Sequence, residues 1–258
     1  EQLILDMKPY MLTVNNRKTE KKEIINEINT ITNDVVCAQE SLSKPVVNRE
    51  IVTNNSVIMP TQKDTLFWCI YIVLHEYADY INIHHNYSIK EMEWKQTLLK
   101  DIMANPTYIK NSNRKITKAG VQEILSELMT DVQKTSAACL VAICVYRNIN
   151  IILLEHTKKL RIEFMSSDVT NNTYVLYKTD NNKYSICTEA LGEPEIIDIR
   201  NTSFLIEKNE KPLKSVGSYK TDALIDIAKL LCIYDHNEIY KKADLYAIIS
   251  DKVKPITL

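Results

Sequence analysis

Glycine is nearly absent from this chain, at three residues in 258. With only Gly120, Gly192 and Gly217 to draw on, no glycine-rich loop can wrap a phosphate chain, so nucleotide-dependent catalysis of the P-loop or dinucleotide-fold kind is disfavoured. No cofactor is expected. Phenylalanine is equally rare, at three residues, while tyrosine reaches fourteen, a balance suited to half-buried faces and interfaces. Charge of one sign is also lacking. Thirty-two basic residues face thirty-three acidic ones, so no whole-chain field draws the protein to nucleic acid or an anionic membrane, and any such contact has to be local.

Long hydrophobic runs are missing too. The most apolar stretch, Leu66–Leu74, is about half the length a bilayer span needs, and no membrane span is expected. The first residues lack the basic-then-apolar layout of a signal peptide, from which a non-secreted, cytosolic or assembled protein is expected. Six cysteines are scattered without a CxxC pair, and most lie in apolar runs, as buried free thiols do. No metal site is expected. The one histidine pair, His84-His85, is adjacent in sequence, so its rings point to different sides of a helix or strand.

What is present, 45% apolar and 25% charged residues, can bury a sizeable core. Residues 1–60 read as an arm, with isoleucines 24, 25, 28 and 31 at helical spacing and an Asn/Ser/Thr-rich extended part up to Pro60. Residues 61–210 read as an α+β core. A first helix runs from an N-cap at Thr61 or Asp64 to about Tyr80, apolar on nearly every side and hence buried. A second covers Ile89–Met103 with Trp94 as a core anchor, a third starts at Thr117, and a fourth spans Val132–Tyr146. Short β-branched runs follow at 149–154, 160–164, 173–177 and 184–188, spaced as an antiparallel meander, with further edge strands expected at Ile196–Ile199 and Phe204–Ile206. Residues 211–258 read as a small helix-extended-helix module. It carries eight lysines against six acidic residues.

Cys69 is the candidate nucleophile, some five residues into the first helix, where the helix dipole still lowers a thiol pKa modestly. The competing reading is a thiol packed as a small hydrophobe beside Phe67 and Trp68, and it is the favoured one. A nucleophile also needs a base within hydrogen-bond reach. His75 is six residues further on, about 600° of helix rotation away, and cannot face it. His84 and His85 belong to a loop, which leaves His156, at the end of the first strand, as the one base to nominate.

Asp64-Thr65-Leu66-Phe67 at a helix start, followed by helices, then Asn148–Leu153, Tyr174–Tyr177 and Asn182-Lys183-Tyr184, resembles the ovarian-tumour-type (OTU) papain-like deubiquitinases. In that family a nucleophilic Cys precedes a Leu-Phe pair and a His-Tyr pair opens the late strand. The resemblance puts Thr65 at the cysteine position and Lys183 at the histidine position, which implies an inactive relative, a pseudoenzyme with a papain-like outline. The segments Leu66-Phe67-Trp68-Cys69, Tyr219-Lys220, Leu224, Lys241-Lys242 and Leu245-Tyr246 are similar to uncharacterised proteins of nucleocytoplasmic large DNA viruses, the giant-virus group. That likeness implies a virion or capsid-associated protein, found in the particle or the host-cytoplasm viral factory and partnered by other viral structural proteins. The C-terminal module is similar to SAP and Rho-N modules, which implies Lys220, Lys241 and Lys242 as phosphate contacts for nucleic acid. A protein-docking helical cap is its competing reading. The expectation is therefore a non-enzymatic structural or adaptor protein; the alternatives are a cysteine peptidase or deubiquitinase using Cys69, and nucleic-acid binding through the C-terminal module.

Overall fold

The computed structural model describes residues 57–130, 134–166, 171–208, 211–235 and 240–253. The isoleucine-rich helix expected at 24–31, and the rest of the arm before Val57, lie outside them. The described residues form an α+β fold with seven α-helices and one open six-stranded sheet.

Apolar periodicity accounts for the first four helices, and side-chain caps open three of them. The first, α1 (Thr65–Asn82), opens on Asp64, whose carboxylate accepts the Phe67 backbone N–H at 3.1 Å. After α2 (Tyr87–Ala104), α3 (Lys118–Met129) is capped by the Thr117 hydroxyl on Gly120 N–H, and α4 (Ala137–Tyr146) by Ser136 on Cys139 N–H. Burial of α1 is confined to Thr65–Ile72 and Tyr80, less than an all-round apolar helix implies. At Glu76 the chain takes φ 68°, the left-handed region, and this break turns Tyr77 and Ile81 toward solvent.

The strands are β1 (Val57–Ile58), β2 (Asn150–Leu154), β3 (Leu160–Phe164), β4 (Thr173–Lys178), β5 (Tyr184–Cys187) and β6 (Phe204–Leu205), in spatial order β1-β5-β4-β2-β3-β6. The expected antiparallel meander is corrected to a mixed sheet. β2 pairs with β4 in parallel, as β3 does with β6, because the chain from β3 crosses to the far side of β2 before returning as β4. β2–β3, β4–β5 and β1–β5 remain antiparallel. Both edges are two-residue strands, short enough to offer little ladder to a stray chain.

Ile196–Ile199 is the second correction, since it lies inside α5 (Glu193–Thr202) rather than in a strand. Pro194 fits the first turn of a helix, and Glu195 reaches back to the Gly192 N–H at 2.8 Å, so local capping outweighs the β-branched composition. Ile196 and Ile199 then cover Ile152, Leu154 and Val175, the sheet face opposite the main core. The main core lies on the other face, where Ile151, Leu153, Ile162, Phe164, Leu176 and Ile186 meet α1 to α4. Strand alternation divides these two sets. The same core cluster takes in Leu224 and Ala228 of α6 (Thr221–Leu230) and Leu245 and Ile249 of α7 (Lys242–Lys252).

Candidate functional site

The start of α1 abuts the start of β5, and polar groups converge there. Asp64 accepts three protein donors: Phe67 N–H on one carboxylate oxygen, and the Thr135 N–H and hydroxyl on the other, at 2.7 and 2.8 Å. Buried Lys95 stands 4.0 Å from the same carboxylate and 2.6 Å from Glu91, which in turn accepts the Trp68 indole N–H. Glu127 anchors the opposite strut by accepting Ser136 N–H. Each buried charge in this group thus has a partner, the condition under which such a network holds one arrangement.

Thr65 is the first residue of α1 and is 5% exposed. Its hydroxyl accepts the backbone N–H of Tyr184 at 3.1 Å, so Lys183, one residue earlier, stands beside it across the α1–β5 contact. Thr65 and Lys183, far apart in the chain, are neighbours in space. The Lys183 carbonyl accepts the Thr179 N–H and hydroxyl, which closes the tight turn between β4 and β5.

Cys69 is one turn further along α1 and 0% exposed. Burial first, and the nearby Asp64 charge second, hold its thiol well above the ordinary cysteine range. Tyr184 shares these surroundings, its phenol pushed up to about 12 by burial first and the Asp64 charge second. A thiol in this setting stays protonated, and the thiolate is the reactive form. His156 lies instead in the exposed turn after β2, with its Nδ1 against Glu155 and 3.0 Å from Asp180. Asp180 belongs to the turn that carries Lys183, so the imidazole reaches the Lys183 side of the sheet end and makes no hydrogen bond to Cys69. His75 accepts the Trp94 indole N–H at 2.9 Å and is occupied in the α1–α2 contact.

Cys139, Cys144 and Cys187 are buried free thiols and Cys232 is an exposed one; Cys37 lies outside the described residues. Among the described residues no group of three or more His, Cys, Asp or Glu side chains is arranged to hold a metal ion, and no helix is long and apolar enough to cross a membrane. At the C-terminal end, Lys220 and Lys241 are the N-cap residues of α6 and α7, both exposed, with Lys242 opening α7. The three lysines therefore sit at helix N-termini.

Sequence reasoning reached Asp64, Thr65, Cys69 and Lys183. It missed Thr135 and Lys95, the two groups that lock Asp64 in place. A Thr-Ser pair directly before the apolar run of α4 was the available signal for Thr135, although it announces a cap and not a partner 71 residues away. No protein-family model, curated protein or solved structure matches the chain.

Proposed function

We propose that this chain is a non-catalytic structural or adaptor protein of a large DNA virus particle, built on a papain-like, OTU-type outline whose nucleophile and base positions hold Thr65 and Lys183. The observation that carries the reading is the hydrogen bond from Tyr184 N–H to the Thr65 hydroxyl. A helix start facing the start of a late strand is the juxtaposition on which a papain-like hydrolase assembles its thiol and imidazole. Here a threonine already engaged as an acceptor and a lysine occupy the two positions, and a lysine ammonium cannot accept a proton from a nucleophile. The virion assignment rests on the sequence likeness stated above, and the partners are other structural proteins of the particle.

The peptidase alternative would use Cys69, whose buried, protonated thiol argues against it. Mass spectrometry of purified particles tests the preferred reading. The chain is expected among the abundant particle proteins, cross-linked to a structural neighbour; particles that never contain it would overturn the virion assignment. Purified chain is also expected to leave ubiquitin conjugates and peptide substrates uncleaved.

A further inference from the structure

At the β6 edge of the sheet, the end of α5, strand β6 and the segment after it enclose a cleft of about 650 Å³. Among the described residues, five of its lining side chains are cations, Arg161, Arg200, Lys208, Lys211 and Lys214, against one carboxylate, Glu207. This is a marked segregation in a chain whose net charge is −1. Behind the cleft, buried Glu163 is held between two guanidinium groups, with Arg161 Nε at 3.0 Å and Arg200 Nε and Nη2 at 3.1 Å each. Burial alone would raise the Glu163 pKa, but the bonds and charges of Arg200 and Arg161 reverse this and leave it below the usual carboxylate value. Two cations on one anion leave a surplus positive charge fixed in place.

The two arginines are preorganised. Arg161 Nη1 donates to the Ser203 and Arg200 carbonyls, which orients the planar group, while Arg161 Nη2 and Arg200 Nη1 take part in none of these bonds. Lys208 and Lys211 are exposed and have no ion-pair partner among the described residues. Lys214 meets Glu207 at 3.1 Å, but both are more than half exposed, so that pair is weak and an incoming anion can replace it. Ser215 and Ser218, both exposed, add hydroxyls 3.0 Å apart. A neighbouring cleft of about 730 Å³ shares Leu205, Glu207 and Lys208 with the first and adds Arg114 and Lys115, with the arginine-paired Glu163 also in its lining. The basic surface therefore runs past the reach of a single phosphate group.

We propose that this double cleft binds a phosphate-bearing ligand, and that its source is the backbone of a single-stranded nucleic acid. Fixed guanidinium forks, exposed lysines and hydroxyls are the groups that hold phosphate oxygens, and two adjoining clefts suit successive phosphates on one strand better than one small ester. Phe204 and Tyr219 in the lining offer apolar ring surface beside the cations, on which a base can stack. This site is distinct from the C-terminal lysines 220, 241 and 242, and it does not depend on whether the α1 start once carried chemistry.

Fluorescence anisotropy of the full chain with a labelled mixed-sequence single strand, across a salt series, tests the proposal. Binding is expected, weakening steeply with salt. The double variant Lys208→Ala/Lys211→Ala is expected to keep the wild-type Tm, to bind roughly tenfold more weakly at low salt, and to lower the salt slope by about 1.4, the amount expected for two lost single-strand phosphate contacts. The triple variant Lys220→Ala/Lys241→Ala/Lys242→Ala is expected to bind as wild type. Competition separates the sources. Displacement by unlabelled strand far below the concentration of mononucleotide or inorganic phosphate supports the strand, whereas equal potency per phosphate assigns the site to a small phosphate ester and overturns the strand. Polyglutamate competing as well as the strand, loss of binding in the triple variant instead of the double one, or no binding at low salt would each overturn the proposal.

Discussion

Asp64 and Thr65 do different work at adjacent positions. Asp64 caps α1 and ties it to Thr135, whereas Thr65 ties the same helix start to β5 through the Tyr184 N–H. Thr65→Val keeps the shape of the side chain and leaves that buried N–H without its acceptor, so it should destabilise the protein by about 1 to 3 kcal/mol in urea unfolding, whereas Thr65→Ser should cost less than about 1 kcal/mol. Equal effects for the two substitutions would mean that the hydroxyl contributes nothing. Asp64 was legible because an acidic residue before an apolar helical run is a cap signal. The burial of Cys69 was equally legible from Leu66–Ile72, where apolar residues leave no polar face. Lys95 was not, because a lysine on a helix reads as solvated until a buried carboxylate from another element stands beside it.

Among the elements, those that follow local rules emerged from the sequence and those that depend on pairing did not. α2 and α3 follow their apolar spacing, α4 starts at Ala137 after the Ser136 cap and not at the expected Val132, and β2 to β5 stand close to where their β-branched runs place them. Whether neighbouring strands run parallel is decided by the chain path between them, and nothing in the Met165–Asn172 sequence announces a crossing of β2. α5 shows the opposite balance. Its capping signals, Gly192, Pro194 and Glu195, were present, but Ile196, Ile197 and Ile199 resemble a strand until the cap is weighed. Across the sheet, the Arg161–Glu163–Arg200 cluster ties β3 to α5. The folded pKa of Glu163 lies below its unfolded value, so its contribution to stability is complete above the unfolded carboxylate pKa, about 4.3, and is lost as pH falls through the folded one. Glu163→Gln should therefore lower Tm at neutral pH and flatten the acid limb of the Tm profile below about pH 4.3. A variant profile parallel to wild type throughout would show that Glu163 does not titrate with folding.

At the scale of the whole molecule, near-zero net charge conceals a segregated surface. Counting lysines and acids along the sequence pointed to the C-terminal segment, whereas another cationic group assembles from β3, α5 and the residues after β6, and Arg114 joins it from a loop before α3. A linear count cannot find such a surface, because its members are brought together only by the sheet order. The juxtaposition of Thr65 with Lys183 is likewise a product of the fold, reached in the sequence only through a family likeness. The central proposal, that Cys69 is a core residue and not a nucleophile, is tested most directly by timed alkylation of the native protein with residue-level mass mapping. Cys69 is expected to stay unmodified until denaturant is added while exposed Cys232 reacts at once; rapid labelling of native Cys69 by a ubiquitin or peptide electrophile, lost in Cys69→Ala, would contradict it.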